Sequence, residues 1–152
     1  MEQIIAKKKI LFLCVNNSAR SQMAEGLMRK VFGNSYDVYS AGSRATAVNP
    51  YAIRVLAEIG VDISGLRSKS VEEYFGTDMD YAVTLCGRDR GVCPVFPGAK
   101  KYIHREFDDP AGYGGNENEM LTVFRRVRDE IEDWLRQTFS ADVSSRKGEK
   151  NA

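Results

Sequence analysis

Residues 9–33 read KILFLCVNNSARSQMAEGLMRKVFG. The segment begins with a short apolar run, Lys9–Val15, which is typical of a buried strand. Small polar residues follow, after which Met23 and Leu27 begin a helical stripe that lasts until Gly33, a residue type that commonly ends helices. The segment therefore predicts a strand, a tight polar loop and a helix in direct succession.

The rest of the chain repeats this alternation of strands and helices. Further strands are predicted at Tyr36–Ser40, Asp80–Cys86 and Lys100–His104, and further helices at residues 50–59, 70–75 and 119–139. Such alternation indicates an α/β fold with a four-stranded parallel sheet flanked by helices on both faces. We expect a single catalytic domain over residues 1–139, followed by a polar, flexible C-terminal tail over residues 140–152.

Length and charge narrow the possible classes of protein. The 152 residues suit one domain, and the formal net charge of +1 gives no support to nucleic-acid binding or to a polybasic membrane surface. No apolar run approaches the ~18 residues of a membrane span, and none resembles a secretory signal. We expect a monomeric, cytoplasmic protein with no nucleic-acid and no membrane partner. The odd number of cysteines, three, favours reactive chemistry, metal binding or inert burial over a disulfide framework.

The polar loop after the first predicted strand has the features of an anion-binding cradle. A loop that leads into a helix offers backbone N–H groups and the positive end of the helix dipole, and Arg20 adds a planar fork suited to an oxyanion. Cys14 lies at the base, where the same groups would stabilise a nucleophilic thiolate. The predicted oxyanion-binding residues are Val15, Asn16, Asn17, Ser18, Ala19, Arg20 and Ser21. The alternative is a buried strand-end cysteine near a surface arginine.

A second candidate lies late in the chain, where Asp108 and Asp109 precede Pro110. A carboxylic acid there could protonate an oxygen that leaves the bound oxyanion. Aspartate before proline is also a common turn former, so this pair has a purely structural interpretation as well.

The motif Cys-x5-Arg-Ser at a strand-to-helix turn resembles the low-molecular-weight protein tyrosine phosphatase fold. That family also has a late Asp-Pro whose aspartate is the general acid, and the resemblance gives this role to Asp109. Residues 84–94, TLCGRDRGVCP, closely resemble the thioredoxin-coupled arsenate reductases of the same fold. Other similar stretches are Ser21–Gly26, Val38–Gly42, Val48–Pro50 and Arg125–Glu130.

The resemblance implies a three-cysteine relay that reduces arsenate to arsenite. Cys14 would attack arsenic, Cys86 would attack Cys14 and release arsenite, and Cys93 would then attack Cys86. Thioredoxin, or a glutaredoxin, would supply the electrons, with no tightly bound cofactor and no metal. Because Cys86 must reach both partners, we expect its loop to rearrange, helped by Gly87 and by the glycine at position 91.

Other functions remain open from the sequence. The first is a low-molecular-weight tyrosine phosphatase, and even a reductase would keep weak phosphatase activity in this cradle. Another is a redox-responsive protein that binds an oxyanion without turnover. Cys86 could also be a buried strand cysteine and Cys93 an incidental loop thiol, and a zinc site would recruit His104 beside the cysteines.

One position departs from the resemblance. Some of these reductases bind potassium near the cradle with an Asn, a Glu, a Ser and an Asp; Asn17, Glu25 and Ser40 match the first three, but Lys69 stands at the fourth. Two cations in one small site would repel each other. We therefore expect the Lys69 ammonium to replace the ion and to pair with Glu25 or nearby carbonyls.

Overall fold

The computed structural model describes residues 6–87 and 93–151. Its strands are β1 (Lys8–Cys14), β2 (Tyr36–Gly42), β3 (Met79–Thr84) and β4 (Ala99–His104). Its α-helices are α1 (Arg20–Phe32), α2 (Pro50–Ala57) and α3 (Glu117–Asn151), and short 3-10 helices cover Val71–Tyr74 and Pro110–Gly112. Each predicted strand and helix is present, the helix predicted at residues 70–75 as a short 3-10 helix, and the bounds differ by a few residues except at the end of α3.

The strands form one sheet in the order β2-β1-β3-β4, and every neighbouring pair is parallel. The predicted four-stranded parallel sheet is confirmed. Because the carboxyl ends of parallel strands share one edge, the ends of β1 and β3 lie side by side there. Ligands of open α/β sheets bind at this edge, so the order of the strands brings the two candidate cysteine segments together.

Successive side chains of β1 face opposite sides of the sheet, as a period of two requires. Ile10 and Phe12 belong to the core that contains the buried sides of α1, α2 and α3. Leu11 and Leu13 face the other side, where Phe96 packs with Val71 of the first 3-10 helix. Both faces are covered, but the three α-helices share one of them.

The residues at the start of α2 are those that favour a helix N-terminus. Asn49 precedes the helix in an extended conformation, and its side chain accepts a hydrogen bond from the backbone N–H of Tyr51 at 2.8 Å. Pro50 occupies the first helical position, where a missing N–H costs nothing.

The last helix differs from the prediction. The sequence indicated a helix that ends at Phe139 and a polar tail, whereas α3 continues to Asn151. Val143 is buried in the main core, and Asp142 accepts hydrogen bonds from the Tyr36 hydroxyl and, at 3.2 Å, from the Lys8 ammonium. These contacts join the first part of the polar C-terminal segment to the domain. Neither α3 nor any other helix in the described part of the chain is long and apolar enough to cross a membrane.

Candidate oxyanion site at the end of the first strand

The candidate cradle is the loop between Cys14, the last residue of β1, and Arg20, the first of α1. Asn17 takes a left-handed backbone conformation there, with φ of 49°, which asparagine tolerates better than most residues. Its side-chain oxygen accepts hydrogen bonds from the backbone N–H of Lys69 and from Gln22 Nε2, both at 2.9 Å. The loop is therefore fixed by its own buried side chain.

The amide nitrogen of Asn17 orients the hydroxyl beside Cys14. It donates to Ser21 Oγ at 2.8 Å and to Ser40 Oγ at 3.0 Å, so both amide protons are used. Ser21 Oγ accepts this bond and lies 2.8 Å from Cys14 Sγ. The hydroxyl proton of Ser21 can then point at Cys14 Sγ, and a Cys14 thiolate would accept that hydrogen bond.

The first turn of α1 favours a bound anion. Ala19 precedes the helix without a side-chain cap, and the first turn contains no acidic residue. Its N–H groups and the helix dipole therefore carry uncompensated positive character. The Arg20 guanidinium is buried at the same place and donates to the carbonyl oxygen of Phe107 at 3.3 Å, which fixes its plane.

The Asp109 carboxyl lies at the edge of the cradle. Its Oδ2 is 3.9 Å from Arg20 Nη2, and its Oδ1 accepts from the backbone N–H of Ala111 at 3.1 Å as the cap of the second 3-10 helix. Asp109 therefore both caps the turn and lies beside Arg20. A carboxyl in this place can exchange a proton with a group bound beside Arg20.

An arginine of α3 supports the loop that contains Asp108 and Asp109, which we call the acid loop. Arg126 Nη2 donates to Asp108 Oδ2 at 3.2 Å and lies 3.5 Å from the hydroxyl of Tyr113, which itself lies 3.4 Å from Asp108 Oδ2. This contact of Arg126 could not be predicted from the sequence, because nothing in the helical spacing of Arg126 indicates which loop its side chain reaches.

The three cysteines lie together at the same edge. The backbone N–H of Leu85 donates to the Leu13 carbonyl at 2.8 Å, which sets Cys86 beside Cys14. Cys14 and Cys86 are buried in one small cluster, and the half-buried Cys93 packs against it. Cys86 and Cys93 form a disulfide with Cα atoms 5.9 Å apart, whereas Cys14 is a free thiol. The glycine at position 91 and the centre of the predicted rearranging loop lie outside the described residues.

Behind the cradle is a buried group of charges. Ser40 Oγ donates to Glu25 Oε1 at 2.5 Å, and Arg29 Nη2 lies 2.6 Å from Glu25 Oε2. Lys69 Nζ donates to the carbonyl oxygen of Arg67 at 2.7 Å and lies 4.0 Å from Glu25 Oε1. Burial lowers the pKa of Lys69, and the nearby Glu25 carboxylate opposes that shift. The Lys69 ammonium thus has the two kinds of partner that were expected for it.

His104, the remaining ligand of the zinc hypothesis, forms a different contact. Its Nδ1 lies 2.7 Å from Thr84 Oγ1, across the β3–β4 pair. Within residues 6–87 and 93–151, no group of three or more His, Cys, Asp or Glu side chains is arranged to hold a metal ion.

Comparison with known proteins agrees with this geometry. Residues 9–149 match the model of the low molecular weight phosphotyrosine protein phosphatase family, and the chain belongs to that family. Arsenate reductases are among its relatives. The arsenate reductase of Halalkalibacterium halodurans is 50% identical over 125 residues, which are 82% of this chain and 90% of the relative.

Solved structures give the same result. An arsenate reductase in the phosphate binding state superposes with a TM-score of 0.75 at 32% identity, covering 88% of this chain and 98% of the other. The thioredoxin-dependent arsenate reductase of Corynebacterium glutamicum gives a TM-score of 0.68 at 29% identity, covering 93% of this chain and 64% of the other. The resemblance expected from the cysteine and arginine motifs is confirmed.

Proposed function

We propose that this protein reduces arsenate to arsenite through a three-cysteine relay. The observation that carries the proposal is the convergence of Cys14, Cys86 and Cys93 beside the Arg20 cradle. A phosphatase of this fold needs one cysteine, whereas a two-electron reduction needs a pair of thiols that can become a disulfide. The arsenate reductases among its relatives support the same reaction for this chain.

In the first step, arsenate occupies the cradle against the N–H groups of α1 and the Arg20 guanidinium. The Cys14 thiolate attacks arsenic, an S–As bond forms and an As–O bond breaks. Asp109 gives its proton to the departing oxygen, which leaves as water. Ser21 releases the sulfur from its hydrogen bond as the charge moves to the arsenic oxygens.

In the second step, the Cys86 thiolate attacks Cys14 Sγ. The S–As bond breaks and its electron pair remains on arsenic, which is thereby reduced from As(V) to As(III) and leaves as arsenite. A Cys14–Cys86 disulfide remains. The Cys93 thiolate then attacks Cys86 Sγ, which frees Cys14 as a thiolate and forms the Cys86–Cys93 disulfide.

A protein dithiol completes the cycle by reducing that disulfide, and thioredoxin is the donor we propose. Two electrons pass from its two thiols to the Cys86–Cys93 pair, and the donor becomes a disulfide. The thioredoxin-dependent relative of Corynebacterium glutamicum supports this choice. No tightly bound cofactor enters this sequence of steps.

The first step alone would also serve a phosphate ester, and this makes phosphatase activity the second candidate. Cys14, Arg20 and Asp109 supply the nucleophile, the anion-binding group and the acid that such hydrolysis requires. The half-exposed Tyr113 near the acid loop could flank an aryl group.

Steady-state turnover tests the relay against the phosphatase alternative. We expect arsenate-dependent NADPH oxidation with thioredoxin and thioredoxin reductase in the wild type and none in Cys86→Ala. Cys93→Ala should release a single stoichiometric burst of arsenite and then stop, because the Cys14–Cys86 disulfide cannot be passed on. The relay is wrong if either variant turns over at the wild-type rate.

Hydrolysis of an aryl phosphate provides the matched control. Both alanine variants should keep whatever phosphatase rate the wild type has, whereas Cys14→Ser should abolish it. Asp109→Asn should slow both reactions by about 10²–10⁴-fold, the range of general acid catalysis. A phosphatase rate that falls with Cys86→Ala would show that this variant damages the cradle itself.

A further inference from the structure

Three large apolar side chains are exposed around the segment of chain that follows Cys93. Phe75 is 50% exposed, Val95 76% and Tyr102 58%. Of the residues that the structure describes, only one other large apolar side chain is comparably exposed, Tyr113 of the acid loop. We refer to Phe75, Val95 and Tyr102 as the apolar patch.

One short segment of chain connects the members of the apolar patch. Val95 adjoins Phe96, whose buried ring lies 6.4 Å from the ring of Phe75. The Tyr102 hydroxyl donates to the Phe96 carbonyl at 2.8 Å and accepts from the backbone N–H of Gly98 at 3.1 Å. Because Phe96 anchors the segment in the core, the apolar patch is held in place before any partner arrives.

One member of the apolar patch, Val95, adjoins the Cys86–Cys93 disulfide along the chain. Val95 is two residues after Cys93, and the intervening Pro94 is buried. Cys93 is half-buried and Cys86 almost fully buried, so the sulfur that an external thiolate can approach is Cys93 Sγ. A reductant that attacks there must rest on the surface beside Val95.

We propose that the apolar patch is the docking surface for a small protein dithiol that carries its reactive cysteine in an apolar surface of its own; this inference rests on the proposed function. Exposed apolar groups grouped at one place mark interaction sites more often than scattered ones do. Aromatic side chains such as Phe75 and Tyr102 are the residue types that contribute most binding energy in such contacts.

The docked dithiol reacts in two balanced steps. Its thiolate attacks Cys93 Sγ, the Cys86–Cys93 bond breaks, Cys86 leaves as a thiolate, and an intermolecular disulfide forms. The second thiol of the partner, once deprotonated, attacks its own sulfur in that disulfide. Cys93 then leaves as a thiolate, and the partner departs oxidised by two electrons.

A second copy of this chain fits the apolar patch less well. Tyr102 lies on β4, which pairs with β3 and, among residues 6–87 and 93–151, is an edge strand of the sheet. Lys100 and Lys101 are exposed on that strand, and lysines on an edge oppose pairing with an identical edge. The positive charges of Lys100 and Lys101 instead favour a partner with acidic groups around its apolar surface.

Two reductants separate docking from chemistry. Turnover of arsenate is measured with thioredoxin, which needs a surface, and with dithiothreitol, which needs none. We expect Val95→Glu and Phe75→Ser each to raise the KM for thioredoxin by about fivefold or more, with the dithiothreitol-driven rate unchanged. Ala141→Glu, on the exposed side of α3, adds the same charge as Val95→Glu and should match the wild type in both assays.

The alternatives give different results. Docking at the apolar patch is overturned if both substitutions leave the KM for thioredoxin unchanged, or if they slow both reductants equally. A wild-type dimer in sedimentation that Val95→Glu dissociates, with an unchanged KM, would also overturn it and assign the surface to self-association. Absence of wild-type turnover with either reductant would instead refute the proposed function.

Discussion

At the scale of single residues, Asn17 organises the cradle from within. Its oxygen holds the backbone of Lys69, and its nitrogen occupies the acceptor sites of Ser21 and Ser40. One neutral side chain therefore determines where the Ser21 proton points. The reactivity of Cys14 depends on this arrangement because a thiolate is stabilised by donors and a thiol is not.

Replacing the hydroxyl tests that dependence. We expect Ser21→Ala to slow alkylation of Cys14 by iodoacetamide at neutral pH by about tenfold, since a hydrogen bond to a charged group contributes roughly 1.5–3 kcal/mol. The oxidised protein is the right sample, because Cys14 is then the free thiol. Thr122→Ala, on the exposed side of α3, is the control. Equal rates for Ser21→Ala and the wild type would exclude the hydroxyl as a donor to sulfur.

In the buried group of charges behind the cradle, substituting Glu25 should destabilise the protein more than substituting Lys69. Glu25→Gln leaves the Lys69 ammonium buried with only a carbonyl partner, and we expect a loss of about 3 kcal/mol in the free energy of unfolding. Lys69→Met should cost less, because Glu25 keeps Arg29 and Ser40. Urea denaturation measures both, and equal losses would contradict this account.

If the Lys69 ammonium serves in place of a bound cation, the enzyme should not discriminate between alkali ions. We expect equal arsenate turnover in potassium and sodium chloride at constant ionic strength. A severalfold higher rate in potassium would show that an ion binds despite Lys69.

The sequence could predict functional groups that lie close together along the chain, but not contacts between distant segments. Cys14, Arg20 and Ser21 lie within eight residues, so their motif could be recognised directly. The contact between Arg126 and Asp108 joins residues 18 apart through a turn, and no periodicity indicates it. The flexibility expected of Gly87 stays a prediction; a Cβ at that position would meet only the end of the exposed Glu106 side chain.

At the scale of elements, α3 contacts both the core and the start of β1. Its middle packs on the core through Phe124 and Ile131, and its last turns reach the start of β1 through Asp142. The sequence predicted the apolar stripe to Phe139 but not the contacts beyond it. Those contacts are made by isolated residues, which give no periodic signal.

Truncation separates the contacts of α3 from its length. A chain that ends at Phe139 loses Asp142 and Val143, and we expect its free energy of unfolding to fall by about 2 kcal/mol. A chain that ends at Ser145 keeps both residues and should retain wild-type stability. If the two truncations denature at the same urea concentration, the contacts of Asp142 and Val143 contribute nothing.

Glu58 joins α2 to α3 and makes this contact sensitive to acid. Hydrogen bonds from Arg125 hold the pKa of Glu58 below its ordinary value of 4.5, and Arg128, 2.9 Å away, adds to that shift. A carboxyl whose pKa is lowered by folding stabilises the protein above its unfolded pKa and loses that contribution as pH falls through the folded value.

We therefore expect Glu58→Gln to lower the melting temperature at pH 7 and to make its decline below pH 4.5 shallower than in the wild type. Because Glu58 is partly exposed, solvent screens the effect and added salt should reduce it. Glu72→Gln, on the exposed 3-10 helix, serves as the control. Parallel melting curves for Glu58→Gln and the wild type from pH 3 to 7 would refute this role.

At the scale of the whole molecule, the parallel sheet separates two surfaces. The cradle continues into α1, whose side chains pack on the Ile10 and Phe12 face. The segment after Cys93 is anchored by Phe96 on the opposite face, with Leu11 and Leu13. The disulfide lies at the edge where the faces meet, which leaves a separate approach for each of the two reactants proposed above.

That separation has a kinetic consequence. In an exchange mechanism the oxidised and the reduced enzyme each react with a different substrate. When both substrates bind to one surface, an excess of one substrate occupies the enzyme form with which the other must react, and the rate falls. In the proposed arrangement the oxyanion binds in the cradle and the reductant docks on the apolar patch, so neither should exclude the other. The enzyme should follow ping-pong kinetics without double substrate inhibition, and its rate should saturate with the reductant rather than pass through a maximum.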